Sequence, residues 1–196
     1  DSAGALVDKH NKKLLCFPAM AYVFEYTVSE DVTEICAFAF DQTAYLEKVI
    51  IPDNVTTIPT SAFDYCYNIT EIEIGNGVSD IGTKAFSLCI SLVKIVVSEE
   101  NPYFTSVDGI LFDKEITTLY KYPEMREIKS VVFPDTVSVI ADYAFYGANV
   151  ENVVFPASVK KIGDTVFGWK YNLKTVAFLN NEIDISKYAS INSSAV

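Results

Sequence analysis

The chain has 196 residues, half of them hydrophobic, enough for a substantial buried core in one large domain or two small ones. Asp and Glu number 26 against 15 Lys and Arg, a formal net charge of −11. That surface repels a phosphate backbone and an anionic membrane, and no apolar run approaches the roughly 20 residues that span a bilayer.

Near the N-terminus, "GALVDKHNKKLLCFP" reads as short strands around a turn, without the basic head and apolar core of a signal peptide. Repeats then fill residues 19–100. Val32, Ile35, Phe40, Leu46 and Val49 recur 23 positions on as Val55, Ile58, Phe63, Ile69 and Ile72. The same five positions return as Val78, Ile81, Phe86, Leu92 and Ile95. A fixed period of this size marks a solenoid, in which each coil buries its apolar side only by stacking on its neighbours. Each copy opens with a period-two segment such as Val49-Ile50-Ile51, which predicts a short strand. Pro52, Pro134 and Pro156, with Gly75 in the same column, turn the chain. The following Ile-x-x-x-Ala-Phe-x-x-Cys has three-to-four spacing and predicts a short helical turn. Thr60, Thr83, Asp142 and Asp164 stand where they could cap it.

Residues 101–127 break the period. Asp108-Gly109 between "YFTSV" and "ILF" signals a two-residue hairpin, and "ILFDKEITTLYKYP" reads as two further strands. This stretch overlays the N-terminal segment at a shift of 105, matching Gly4, Leu6, Asp8, Lys9, Leu14 and Pro18. Residues 1–18 are therefore expected to be a truncated copy of the same insert, and the chain a piece of a longer protein. Repeats resume over 128–179, where Val137, Ile140, Phe145, Val150 and Val153 return as Val159, Ile162, Phe167, Leu173 and Val176. Residues 180–196 become Ser/Asn-rich and are expected to form a cap or tail.

The stretch "IPDNVTTIPTSAFDYCYNITEI" resembles the BspA-like class of leucine-rich repeats, which read I-P-x-x-V-x-x-I-x-x-x-A-F-x-x-C-x-x-L. The likeness runs over roughly residues 23–178, with Thr43, Ala148 and Lys170 in place of Cys, and Ser29 and Gly75 in place of Pro. "NPYFTSVDGILFDK" is similar to inserts common in that family. Together, the repeat pattern and this resemblance imply a right-handed leucine-rich repeat solenoid. It would have one short parallel strand per rung, short helical turns opposite, and a meander insert. About seven rungs at ~4.8 Å would give a parallel sheet roughly 34 Å across. The family likeness further implies a non-catalytic protein-binding or adhesion module of a secreted or cell-surface protein, its partner a host matrix protein or another cell. A passive stalk presenting another domain, or a non-catalytic part of a larger surface hydrolase, are the alternatives.

Two outward strand columns are candidate sites. One is Glu25, Lys48, Glu71, Lys94, Ser130, Asn152 and Thr175, whose alternating charges suit either cross-strand pairing or the rim of a contact surface. The other is Thr27, Ile50, Glu73, Val96, Val132, Val154 and Ala177, an apolar stripe that is either a docking face or lies under the insert. Ile50, Glu73, Val96, Val132 and Val154, flanked by Lys48, Glu71 and Lys94, form the expected protein-binding set. The second choice is an aromatic end comprising Tyr45, Tyr65, Tyr67, Tyr143, Tyr146, Trp169 and Tyr171, residue types that anchor interfaces or fill gaps between rungs.

Nothing points to catalysis or to a cofactor or metal. His10 is the sole histidine, and G-x-S-x-G, H-E-x-x-H and phosphate-loop patterns are missing. Cys16, Cys36, Cys66 and Cys89 lack zinc spacing. Cys66 and Cys89 share a column, where a disulfide is conceivable and buried free thiols are expected. Glu30, Asp53 and Asp135, in a column with Asn76, are expected to be solvated turn acids. Asn54, Asn68 and Asn192 match the N-glycosylation acceptor pattern.

Overall fold

A computed structural model describes residues 1–169, 172–180 and 182–185. The first part holds β1 (Leu6–Asp8), β2 (Lys13–Cys16), β3 (Glu25–Thr27), β4 (Glu34–Ile35) and β5 (Lys48–Ile51). After these come β6 (Thr57–Ile58), β7 (Glu71–Ile74), β8 (Asp80–Ile81) and β9 (Lys94–Val97). The insert supplies β10 (Phe104–Val107), β11 (Ile110–Asp113) and β12 (Thr118–Lys121). The last part holds β13 (Ser130–Val132), β14 (Val139–Ile140), β15 (Asn152–Phe155), β16 (Lys161–Ile162), β17 (Thr175–Phe178) and β18 (Asp184–Ile185). These strands make a β-solenoid of about seven coils, with one longer strand per coil in β3, β5, β7, β9, β13, β15 and β17.

Three expectations are corrected. Among the described residues there is no α-helix, so the Ala-Phe segments are not helical turns. Each instead contains two left-handed residues four apart: Ser61 and Tyr65, Lys84 and Leu88, Tyr143 and Gly147, Thr165 and Trp169. Positive φ breaks a right-handed helix. The amides turn to the next coil instead, Phe40 N donating to Ala62 O, Phe63 N to Ala85 O and Phe145 N to Val166 O. Asp142 therefore caps no helix, and its carboxylate accepts the Asp164 amide one coil on at 2.7 Å.

Secondly, six of the seven coils have a further two-residue strand, β4, β6, β8, β14, β16 and β18, and the β9 coil has the insert in its place. β6 pairs with β8, and β14, β16 and β18 run in parallel. The β-branched "TTI" before the turn favours that strand, but two residues are too few to show a period.

Thirdly, the long strands do not form one seven-stranded sheet. β3-β5-β7-β9 are four in register and β13-β15-β17 three, with the insert between them. β10 and β11 form the expected hairpin, with positive φ at Asp108 and Gly109, and the Ile95 amide donates to Gly109 O. A Cβ at Gly109 would lie 2.6 Å from Lys94 Cβ, so only glycine lets the hairpin tip close on β9. β11 is buried on both sides. Leu111 joins the core of the first part, while Ile110 and Phe112 join that of the second. The insert is thus a partition along the solenoid axis, and it leaves the outward strand face uncovered. β1, β2 and β4 stand 105 positions before β11, β12 and β14 and are paired in the same way.

Within each core, one aromatic per coil stacks on the next: Phe40 on Phe63 at 4.7 Å between ring centroids, Phe63 on Phe86 at 5.8 Å, and Tyr122 on Phe145 at 5.1 Å. Asn101, fully buried where the insert begins, donates to Gly75 O and Val78 O and accepts from the Tyr103 and Phe104 amides. Asn101→Ala strands four backbone groups and is expected to lower stability by about 2–3 kcal/mol, read from the midpoint of urea unfolding. An unchanged midpoint would mean that water replaces the amide.

Candidate binding faces

On the first sheet the parallel register sets Glu25, Lys48, Glu71 and Lys94 side by side, and beside them Thr27, Ile50, Glu73 and Val96. The charges pair: Lys48 Nζ lies 3.5 Å from Glu71 and 2.5 Å from Glu73, and Lys94 lies 2.8 Å from Glu71. Partial burial pushes the Glu71 carboxyl up, yet Lys94 and its other neighbours together hold it below the usual carboxylate range. The ladder thus ties the rungs together and also borders the stripe. Thr27, Ile50, Glu73 and Val96 line a groove of about 480 Å³, with Glu30 and Asp53 at its proline corner. Asp53 is more than a solvated acid, since its carboxylate accepts the Asn76 amide at 2.8 Å.

Val132, Val154 and Ala177 lie in register on the other sheet, and Val132 is 70% exposed. The seven-residue stripe is therefore two patches. The second is bordered by an uncharged ladder, Asn152 donating to Ser130 Oγ at 3.0 Å and Thr175 to Asn152 Oδ1 at 2.7 Å.

On the turn side, Tyr65 lies edge-on to Tyr67 at 6.0 Å. Tyr143, Tyr146 and Trp169 form a chain with spacings of 5.5 and 6.5 Å, and the Lys84 ammonium stands 4.9 Å over Tyr143. Tyr65, Tyr67 and Trp169 are exposed. Tyr171 lies outside the described residues. Tyr45 belongs to a separate cluster centred on Tyr22, whose ring lies 5.1 Å from Tyr45 and 5.0 Å from Phe24. Tyr22 and Phe24 fall outside the template columns, so repeat alignment does not find them.

The cysteines are free thiols. Cys66 Sγ donates to Phe40 O and Cys89 Sγ to Phe63 O, so this column supplies a hydrogen bond between coils as well as a small buried filler. Asn54 and Asn68 are exposed, and their amides donate to Glu30 O and Ala44 O of the preceding coil. Asn192 lies outside the described residues. A buried ion pair escaped the sequence analysis: Lys121 Nζ is 2.6 Å from Glu124 Oε1, and both side chains are almost wholly enclosed. It lies in "KYPE", outside the repeat template, where only burial reveals it.

A β-solenoid that displays its side chains along extended faces is a repeat scaffold. The family model described as BspA type leucine rich repeat region matches residues 15–119 and 103–195, in six copies, and the chain belongs to that family. Such repeats are in general non-catalytic scaffolds that mediate protein interactions. Among solved structures, a leucine rich cell surface protein from Faecalibacterium prausnitzii is 31% identical with a TM-score of 0.59, over 75% of this chain and 45% of that one. The pneumococcal vaccine antigen PcpA is 23% identical with a TM-score of 0.63, over 84% of this chain and 52% of that one. A T. pallidum leucine-rich repeat protein is 21% identical with a TM-score of 0.58, over 92% of this chain and 81% of that one. The latter two share the fold. The chain spans about half the length of the first two relatives. No curated protein matches it. Among the described residues no helix is long and apolar enough to cross a membrane.

Proposed function

We propose that the chain is a non-catalytic adhesion module of a secreted or cell-surface protein, and that it binds an extracellular protein along its strand face. The groove over Thr27, Ile50, Glu73 and Val96 carries this reading: apolar side chains stand outward on a sheet that no described residue covers. The acids at its corner, Glu30 and Asp53, favour a partner offering basic groups beside apolar ones. Many modest contacts along the coils, including Val132 and Val154 on the second sheet, would supply the affinity. The cell-surface relative from F. prausnitzii supports the location.

Replacing Ile50 and Val96 together by Asp is expected to leave the circular dichroism spectrum and melting temperature close to those of the parent. Binding to immobilised host matrix proteins should fall at least tenfold. A double variant that unfolds places the column in the core. One that folds and binds normally moves the site to the turn side, where Tyr65 and Trp169 keep large rings at left-handed backbone positions. Failure of the parent to bind any matrix protein or cell favours the passive stalk.

A further inference from the structure

The short-strand column stops at β8. β4 is paired only with β2 but lies against β6 of the next coil, whereas β8 pairs only with β6 and no strand of that column among the described residues lies against its other side. The turn column stops at the same place: among the described residues the series Phe17 to Ala39, Phe40 to Ala62 and Phe63 to Ala85 has no continuation from the Phe86 amide, and resumes with Tyr122 to Ala144. One coil's worth of backbone is missing there, because the insert takes the chain elsewhere before β12 restarts the stack. Between β8 and β12 lies a cleft of about 270 Å³, walled by Phe86, Leu111, Tyr120 and Tyr143. That is near the small end of ligand sites, with room for a short run of backbone and not for a folded partner.

Two observations point to a ligand. Ser87, which lines the cleft, is 6% exposed, and its buried Oγ has no hydrogen-bond partner among the described residues. Buried hydroxyls are nearly always paired, so this one awaits an acceptor. The charge of the cleft is also opposite to that of the chain. Lys84 and Lys161 face it against the single carboxylate of Asp142, while Lys121 is neutralised by Glu124.

We propose that this cleft binds an extended peptide segment from another polypeptide, added parallel to β8 as the missing strand and carrying an acidic residue just beyond it. The segment's carbonyls take the Ser87 hydroxyl and the Phe86 amide, the free edge of β8 supplies the ladder, and the acid pairs with Lys84. In the two coils that follow the cleft, the residue after the short strand and its small neighbour is Asp142 or Asp164, which sets the spacing of the acid; Thr60 and Thr83 hold that position in the first part. This site is separate from the strand face and does not depend on that face binding anything.

The probe is an acetylated, amidated hexapeptide with the sequence of Val137–Asp142, VSVIAD, titrated into the isotopically labelled chain and followed by amide chemical shifts. Saturable shifts at Ile81, Phe86 and Ser87 are expected. Affinity should drop about tenfold when the peptide's aspartate is replaced by asparagine, and by a similar factor in Lys84→Glu, whose exposed position leaves the fold intact. Ser87→Ala should weaken binding several-fold. No saturable shift at millimolar peptide overturns the proposal. So do shifts confined to the strand face, or affinity indifferent to both the peptide's acid and Lys84.

Discussion

Phe63→Ala is expected to lower the unfolding free energy by about 3–5 kcal/mol, and Phe63→Asp to unfold the first core altogether. The ring is fully buried and stacked between Phe40 and Phe86, so truncation opens a cavity that touches three coils at once. Coils of a solenoid are stable only through their neighbours, so the loss spreads along the array. Denaturant unfolding followed by circular dichroism measures it, with Phe38→Ala as control. Phe38 belongs to the same family of turns but is 56% exposed, and its truncation should change little. Equal losses at the two positions would show that the stacked column is not what holds the coils together.

Breaking the Lys121–Glu124 pair is expected to be nearly as damaging. Lys121→Ala leaves a carboxylate enclosed without its cation and should cost about 3–5 kcal/mol, whereas Lys121→Met with Glu124→Leu should recover most of that. The pair also makes stability depend on pH. Burial pushes the Glu124 carboxyl up to about 7 from its ordinary 4.5, against the pull of Lys121. A folded value above the unfolded one means that the folded chain holds the proton more tightly. This group's contribution is therefore fully present below about 4.5 and is lost as pH rises toward 7, a swing of about 3 kcal/mol. Asp8, Glu71 and Glu151 have lowered values and act in the opposite sense, losing stability as pH falls. Glu124→Gln should remove the first component and leave the second. Identical pH profiles for Glu124→Gln and the parent would assign the whole dependence to the surface carboxylates.

Most of the architecture was legible because a solenoid writes its core into the sequence at a fixed interval. The columns of Val55, Ile58, Phe63, Ile69 and Ile72 are buried from coil to coil, with Ile81 and Leu173 half-buried, and the hairpin at Asp108-Gly109 follows from its turn residues. The turns were misread because Ala-Phe-x-x-Cys has helical spacing, while the left-handed residues at Ser61 and Tyr65 are types that rarely adopt positive φ. Composition gives no warning of them. The break in the strand column was hidden for another reason. Spacing fixes which residues share a column but not whether an insert lies across it, so Val96 and Val132 looked like neighbours and are not. Ser87, Phe86 and the β8 edge matter only because of what fails to follow them, which no local pattern records.

The partition strand β11 carries a thermodynamic consequence. With Leu111 in one core and Ile110 and Phe112 in the other, three adjacent side chains set how strongly the two cores melt as one. In the one-dimensional description of repeat proteins this strand is the nearest-neighbour coupling between two cooperative units. A longer array built on the same 105-residue interval would then behave as a string of such units rather than as a uniform rod, confining local opening between successive partitions.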